Sequence, residues 1–424
     1  MGSGSATGVA MKIRDLKTYV LEAVLAEPFA YSQAWYERRG ALLVEIIGED
    51  GTSGWGEAFG PPRLTAPVVD FYKPLVVGAD AMATDLLWQT LYNRLRDHGQ
   101  KGLAIEALSA VDIALWDLKG RHLGLPIYRL LGGPLRERVQ AYATGFYRKR
   151  DGDPVHYLLA EAEERVAAGF SAIKLKLGFG INEDVHLCQA VRKAFGDGIG
   201  IMVDANHAYD AAAAIQLGRR IEELDIGWFE EPVPPEDLGG YREVKAALAM
   251  PIAGGEAEFT RWGFRPLLVE RAVDILQPDT CAAGGISECK KIADMANAFG
   301  IRVNPHVWRT GVALAASLQL IAALPHNPPA LYPSSHCWSS INPSTRCEWR
   351  LSRSRSYREP AGSTFRTGLV SASKSTDRLS KSFALDNPSR PTTPRGAAQS
   401  GSGHCFLMLP TRGFTGPTAI ASDG

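Results

Sequence analysis

The 424-residue chain carries no net charge, 46 basic residues balancing 46 acidic ones, and no run of like charges stands out in its first three quarters. That argues against a nucleic-acid or membrane-surface partner. No segment approaches the roughly 18 consecutive apolar residues of a membrane span. The opening Met1-Gly2-Ser3-Gly4-Ser5 lacks the basic-then-apolar order of a secretory leader, so the cytoplasm is the expected location. Six cysteines (Cys188, Cys281, Cys289, Cys337, Cys347 and Cys405) include no C-x-x-C pair, which predicts free thiols with neither disulfide nor zinc. No G-x-G-x-x-G follows an early strand, which disfavours a nicotinamide-dependent reaction.

What is present is core-forming sequence. At 45% apolar content the chain can bury a large core and carry two domains, or a barrel with an additional domain. Residues 1–10 read as a flexible leader. Strand-like patterning follows over Leu16 to Val24, Ala41 to Ile47 and Gly54 to Glu57, with a turn at Asp50-Gly51. Helical periodicity then governs Ala66 to about Leu131. An α+β domain over residues 11–135 is the expectation.

After Val139 the texture changes to short β-rich runs alternating with amphipathic helices, the pattern of a parallel sheet. Six runs end at Lys176, Asp204, Glu230, Glu256, Asp279 and His306, at spacings of 28, 26, 26, 23 and 27 residues. Each spacing fits one strand-helix unit, and each run finishes in an ionisable group. In a (β/α) barrel the carboxyl ends of the strands form one ring, whereas an open doubly wound sheet concentrates its site at a switch point between few strands. Recurrence over six strands favours a TIM-type (β/α) barrel of seven or eight units, spanning residues 136–333.

Asp204, Glu230 and Glu256 end three successive strands and are hard oxygen ligands suited to Mg2+. Taken singly, each is an ordinary surface or capping carboxylate; clustered without a cation they would repel one another. Glu231 follows Glu230 and alternates away from it on a strand, so Glu230 is the assigned ligand and Glu231 a supporting group or alternative. Asn206, two residues beyond Asp204, shares its side and is placed to touch ligand or metal-bound water.

Lys174 and Lys176 flank Leu175, so both ammonium groups leave the strand on one face. A solvated edge would be the bland explanation, but a barrel strand has none. Beside one another and a cation, one lysine can be driven toward neutrality and act as a base. Lys176 is assigned that role, and Lys174 the tuning of it and contact with a substrate carboxylate. His306 with Asp279 from the neighbouring run forms a candidate His-Asp pair, the carboxylate fixing the tautomer. If the second and seventh strands face each other across the mouth, Lys176 and His306 approach an α-carbon from opposite faces. That permits racemisation, or proton removal followed by loss of a β-hydroxyl assisted by the His306 conjugate acid. An α-proton beside a carboxylate is weakly acidic, and its loss gives an enediolate that concentrated positive charge must stabilise.

These residues sit in motifs. Lys174-Leu175-Lys176, Val203-Asp204-Ala205-Asn206, Trp228-Phe229-Glu230-Glu231-Pro232, Gly254-Gly255-Glu256, Gln277-Pro278-Asp279 and Asn304-Pro305-His306-Val307-Trp308 together resemble the mandelate racemase branch of the enolase superfamily, over roughly Met11 to Pro329. The resemblance implies Mg2+ on Asp204, Glu230 and Glu256, a lysine base at Lys176 and a His306-Asp279 base. It also implies that the first domain caps the barrel mouth, with Trp35, Tyr36 and the following Glu37-Arg38-Arg39 as a specificity loop. Within the family the chain looks similar to acid-sugar dehydratases, which form 2-keto-3-deoxy products, and to galactarolactone cycloisomerase. It shares with them the Trp55-Gly56-Glu57 and Tyr142-Ala143-Thr144-Gly145 neighbourhoods. Arg309 stands where the pattern has glycine, and is expected either to crowd the site or to bind a second carboxylate. A small carboxylate is the expected substrate, and the folded chain is expected to be a homo-oligomer.

The resemblance calls for an acidic residue on an eighth strand soon after Pro329, and the sequence supplies none. Residues 334–424 hold 18 Ser, 12 basic and 5 acidic residues, a net +7 against −7 for the rest of the chain. Such a shift predicts an irregular tail. Shifting the reading register by one base, with synonymous codon freedom, lets Ser334 to Ser356 encode Q-P-L-L-E-F-D-Q-S-I-H-P-L-R-M-A-L-V-E-E-P-I. The same shift lets Ser363 to Asp377 encode D-V-P-D-G-P-G-L-G-I-E-V-D-R, which resembles the closing segment of this family. A frameshift near Pro333 is the reading. A chain without the eighth strand is expected to be poorly stable and weak or inactive, the alternative to a working enzyme.

Overall fold

Alternating side chains along the first fifty residues build a long antiparallel hairpin, β1 (Ile13–Ala30) against β2 (Trp35–Gly48), in the computed structural model, which describes residues 10–329 and two short later strands. β3 (Ser53–Ala58) adds to β2 after a turn in which Gly51 adopts φ 85°. The long helical run divides into α1 (Pro62–Val76), α2 (Thr84–Leu95), α3 (Leu103–Leu123) and a single turn, α4 (Ile127–Leu130).

Helix α3 is buried almost all round because it lies between the hairpin sheet and the second domain. Its closeness to β3 explains the Gly54-Trp55-Gly56-Glu57 pattern. A Cβ at Gly54 would meet the backbone of Ala114 and Leu118, and one at Gly56 would meet the carbonyl of Ala110. Trp55 N–H donates to Asp117 Oδ2 at 2.9 Å, tying the strand to the helix between these two bare positions.

The second domain opens with β4 (Arg138–Gln140), β5 (Ala143–Thr144) and β6 (Arg148–Lys149). Strand-helix units follow: α5 (Pro154–Ala167), β7 (Ala172–Lys176), α6 (Ile181–Phe195), β8 (Gly200–Asp204), α7 (Ala211–Ile221), β9 (Ile226–Glu230) and α8 (Leu238–Ala247). They continue with β10 (Ile252–Gly254), α9 (Thr260–Val269), β11 (Ile275–Leu276), α10 (Gly285–Ala298), β12 (Arg302–Val303) and α11 (Gly311–Ala322). Asp153, Asp210, Asp237 and Thr310 cap the N-termini of α5, α7, α8 and α11 with their side-chain oxygens, each fixing where a loop ends and a helix begins.

Hydrogen bonding orders the parallel strands β12-β11-β10-β9-β8-β7-β5, a curled sheet walled outside by its helices. One residue from each of five strands, Ala172, Met202, Trp228, Ala253 and Ile275, fills the inside. This closed packing layer makes the interior a floor for a site rather than a channel. Leu175 packs outward into the sheet-helix core while Lys174 and Lys176 point inward. Helix α3 joins the two domains through Asp112, which accepts from Ser287 Oγ at 2.6 Å and Ser287 N–H at 2.9 Å on α10.

Strand β6 leaves the barrel and pairs with β1, so barrel and hairpin are stitched through backbone at Phe29-Lys149 and Ala30-Arg148. Residues Trp35 to Arg39, expected as a loop, are the first residues of β2. The hairpin runs further than its apolar pattern suggests because β6 supports its distal end. Two further strands, β13 (Glu348–Leu351) and β14 (Val370–Ala372), pair with each other, and β13 pairs with β4. The frame change near Pro333 and the rest of the expected irregular tail lie outside the described residues. Among the described residues, no helix is long and apolar enough to cross a membrane.

Candidate active site

Strand ends converge as the spacing predicts. Carboxylate oxygens of Asp204, Glu230 and Glu256 all lie within 4.8 Å of one another at the carboxyl ends of β8 and β9 and just past β10. Asp204 and Glu230 are fully buried. Glu256 Oε2 accepts no hydrogen bond, with His306 Nε2 as an ion-pair neighbour at 3.3 Å. Three carboxylates, two buried and one half-buried, gathered this closely fit a hard divalent cation held by oxygen ligands.

Lys174 pairs with Glu230 and lies 3.3 Å from Asp204 Oδ2. Lys176 Nζ donates to Asp204 Oδ2 at 2.5 Å and to Asn206 Oδ1 at 2.8 Å, and Asn206 Nδ2 donates to Glu256 Oε1 at 3.2 Å. Lys176 was expected to be driven toward neutrality, with Lys174 tuning it. Burial does push them down, but Glu230 and Tyr142 for Lys174, and Asp204 and Tyr147 for Lys176, outweigh it and hold both above the ordinary lysine value. Burial pushes Asp204 up, yet Lys176 and Lys174 hold it below the usual carboxylate range. For Glu230 burial prevails over Lys174 and the carboxyl is raised. With the carboxylates neutralising the lysines, the like-charge pressure that favours a neutral amine is cancelled.

His306 stands on the other side of the triad. Its Nδ1 is 2.7 Å from Asp279 Oδ2 and its Nε2 is 3.3 Å from Glu256 Oε2. The two residues form a parallel bridge just beyond β11 and β12, so backbone pairing brings their side chains together. Burial pulls the imidazolium down, but Glu256 and Asp279 reverse this and push it up to about 9. The structure thus brings together Lys174, Lys176, Asp204, Asn206, Glu230, Glu256, Asp279 and His306.

Glu231 departs from simple alternation. β9 ends at Glu230, and Glu231 adopts φ 43°, a left-handed conformation that turns it back toward the mouth. It is buried, with Oε2 2.9 Å from His207 Nδ1. Burial and then Glu256 push its carboxyl up to about 8. Asn206 and His207, at φ 42° and 63°, carry similar backbone strain in the preceding strand-end loop.

The hairpin supplies the roof. Ser32 Oγ and Gln33 Nε2 donate to Asn206 O at 2.9 and 3.0 Å. Gly178, at φ 97°, makes this approach possible, since a Cβ there would collide with Ser32. Tyr36 packs between Tyr31 and Trp308, with ring centroids 5.7 and 5.1 Å away, whereas Trp35 is exposed and faces Arg150. Arg309 lies over Phe59, 4.3 Å from the ring centroid, and donates to Gly40 O at 3.3 Å, in the seam between hairpin and barrel. The arginine against Trp308 is also accompanied by Arg39, 3.9 Å from that ring.

Three supporting residues escaped the sequence reading. Gln277 Nε2 and Trp228 Nε1 both donate to Glu230 Oε2, at 2.7 and 2.9 Å. Tyr147, just past β5, accepts from Trp308 Nε1 at 2.7 Å and lies with its ring centroid 5.8 Å from Lys176 Nζ. Gln277 stood two residues before a singled-out acid within a quoted motif, a signal that was available; Tyr147 follows a two-residue strand that ends in no charged residue.

Residues 15–132 match the family model of the mandelate racemase / muconate lactonizing enzyme N-terminal domain, and residues 157–345 that of the enolase C-terminal domain-like family. D-galactarolactone cycloisomerase of Agrobacterium fabrum is 48% identical over 323 residues, 76% of this chain and 85% of that protein. Arabinonate dehydratase of Saccharolobus solfataricus is 37% identical over 320 residues, 74% of this chain and 85% of that protein. Among solved structures, 3,6-anhydro-D-galactonate cycloisomerase from Zobellia galactanivorans superposes with TM-score 0.69 at 40% identity, covering 74% of this chain and 85% of that one. L-talarate/galactarate dehydratase from Salmonella typhimurium LT2 gives TM-score 0.71 at 30% identity, covering 77% of this chain and 83% of that one. With both domains matched and the strand-end ring assembled, the chain belongs to the mandelate racemase and muconate lactonizing enzyme family of the enolase superfamily, an enzyme family of lyases and isomerases.

Proposed function

We propose that the chain binds Mg2+ on Asp204, Glu230 and Glu256 and removes the α-proton of a small acid-sugar carboxylate, leading to dehydration to a 2-keto-3-deoxy acid or to opening of a sugar lactone. One observation carries this reading: the carboxylate triad is bracketed by two proton-transfer groups, Lys176 against Asp204 at 2.5 Å and His306 against Glu256 at 3.3 Å. When bound, the cation would supply positive charge to the enediolate oxygens. The protein's own part is to place the groups around it. Lys174 positions the substrate carboxylate and Lys176 faces the α-carbon. Asp279 holds Nδ1 of His306, so that Nε2 is the nitrogen turned to the site.

Ligation by Asp204 also bears on the base. The Asp204 oxygen that keeps Lys176 protonated cannot serve a cation undiminished, so sharing it lowers the hold on the ammonium proton. The relatives favour both outcomes, since they include a lactone cycloisomerase and several acid-sugar dehydratases. The test incubates the protein and Mg2+ with galactarate, galactonate, gluconate, arabinonate and D-galactarolactone. Keto-acid formation from a hydroxy acid marks dehydration, keto-acid formation from the lactone marks cycloisomerisation, and stereoinversion alone marks a racemase. Absence of all three from a frame-restored chain as well as from the chain as written, together with no exchange of the α-hydrogen in D2O, overturns the proposal.

A further inference from the structure

We propose that Glu57, a residue of the cap, is a positioning residue for the His306-Asp279 pair, so that the cap helps to build the proton-transfer site as well as covering it. This rests on the acid-sugar reading above, in which His306 is a proton-transfer group.

Glu57 lies near the end of β3 and is fully buried. Burying a carboxylate is costly unless donors meet it, and the donors that meet this one belong to the barrel. Thr310 N–H donates to Oε1 at 3.1 Å and Oε2 at 3.2 Å, Thr310 Oγ1 to Oε2 at 2.6 Å, and Ala313 N–H to Oε2 at 3.1 Å. These groups open α11, where a helix leaves N–H groups unpaired and its dipole favours an anion. With its hydrogen given to Glu57, the Thr310 hydroxyl keeps its lone pairs for Val312 N–H at 3.2 Å. Glu57 thereby fixes the first turn of α11 from across the domain boundary.

His306 stands four residues before Thr310, and the cap also holds the residues between them. Arg39 donates to Trp308 O at 3.2 Å, and Arg309 donates to Gly40 O at 3.3 Å. Two residues past Glu57 the cap reaches the partner of His306. Phe59 N–H donates to Cys281 O at 3.0 Å, and Cys281 N–H donates to Asp279 Oδ1 at 2.6 Å, leaving Oδ2 for His306 Nδ1. The Phe59 ring stands edge-on to the imidazole, with centroids 5.8 Å apart. One short stretch of the cap thus ties down both members of the pair, at the turn after His306 and at the turn after Asp279. A proton-transfer group must sit within hydrogen-bond reach of its target, and a misplacement of about 1 Å can cost about 100-fold in rate. What Glu57 supplies is reach. Glu57→Gln keeps an acceptor oxygen at the same distance from the backbone, whereas Glu57→Asp keeps the charge and withdraws it by one methylene.

Glu57→Ala, Glu57→Gln, Glu57→Asp and Thr310→Val are compared with the unaltered chain, as written and frame-restored, each carrying nitrogen-15 histidine. The ring-nitrogen signals of His306, identified by their absence from His306→Asn, report its tautomer and setting with neither Mg2+ nor substrate present. One sharp pair of His306 signals is expected from the unaltered chain and Glu57→Gln, and shifted or broadened signals from Glu57→Ala and Glu57→Asp. In D2O with Mg2+ and a hydroxy acid, kcat for α-hydrogen exchange should fall by about 10–100-fold in Glu57→Ala and Glu57→Asp, with KM within about threefold, and stay within about threefold in Glu57→Gln. Thr310→Val removes the hydroxyl donor and should move the signals less, in the same direction; it decides the matter if Glu57→Ala does not fold. Unmoved His306 signals in Glu57→Ala and Thr310→Val overturn the role of Glu57, as does a Glu57→Asp chain that keeps signals and exchange as well as Glu57→Gln. If the unaltered chains do not exchange the α-hydrogen, the acid-sugar reading fails, while the His306 signals still decide whether Glu57 positions the pair.

Discussion

Glu230 shows how the site is held at the scale of single residues. Trp228 and Gln277 fix one carboxylate oxygen by two hydrogen bonds, and Lys174 takes the other. A ligand pinned this way keeps its rotamer before any cation arrives, and such outer partners are worth about 10–100-fold in metal affinity. Gln277→Leu is therefore expected to weaken Mg2+ binding by about that factor with secondary structure intact, measured by calorimetric titration with Mg2+ alone; unchanged affinity would remove Gln277 from the site. Lys176→Ala removes the proposed base while leaving all three carboxylates. Its expected signature is a fall in kcat of about 100-fold or more with α-hydrogen exchange lost in parallel. The charged members of this ring, Lys174 apart, were legible because each occupies the last position of a run, and the runs repeat at one strand-helix period. Gln277, Trp228 and Tyr147 were not singled out, since an uncharged residue near a strand end carries no such mark. Nor could the pattern show that the lysines would be held protonated, which depends on which carboxylate oxygen each one meets.

Elements decide how the cap meets the barrel, and helix α3 is the joint. Its contact with β3 depends on two positions without side chains, and at Gly56 an added methyl would press on backbone that has no rotamer to change. Gly56→Ala is expected to destabilise the fold by about 1–3 kcal/mol, read as a lower midpoint in urea unfolding. On its other face α3 carries Asp112, fully buried, whose carboxyl is pushed up to about 7 by burial, against the opposing hydrogen bonds from Ser287. The folded state thus binds this proton more tightly than the unfolded chain, where the value is 3.8. The protonated form's stabilising effect is complete below about pH 4 and is lost as pH rises through about 7. Asp112→Asn is a neutral isostere that can keep both bonds to Ser287. Its melting temperature should change less between pH 5 and 8 than that of the unaltered chain, by at least about 2 °C; equal changes would rule Asp112 out as the titrating group. The sequence revealed an apolar helix here but not its partners. It also showed the core of the hairpin and missed its reach: Trp35 and Tyr36 sit in β2 because β6, contributed from the barrel, pairs with the end of β1, and a contact 120 residues away leaves no local periodicity to read.

At the scale of the whole molecule the open question is closure. Among the described residues the parallel sheet ends on β12 at one side and β5 at the other, and a cavity lined by Arg138, Gln140, Val303, Asn304, Ile321 and Leu324 lies at that seam. A closed barrel leaves no strand edge, whereas two open edges expose backbone donors and acceptors and a length of core. The sequence beyond Pro333 changes character at the point where the sheet would need its next strand: residues 334–424 carry +7 where the rest carries −7. The shifted register restores an apolar run with an acid inside it, L-L-E-F-D, followed by a second family-like segment in the same frame. This predicts a one-base insertion or deletion at or near the Pro333 codon, visible on re-sequencing the gene. It also predicts that a frame-restored chain melts cooperatively at a higher temperature than the chain as written, and turns over acid sugars faster. An intact gene that encodes residues 334–424 in the same frame as His306 would refute the frame change. A chain as written that already melts as cooperatively as its frame-restored counterpart would show that the seam is closed by other means.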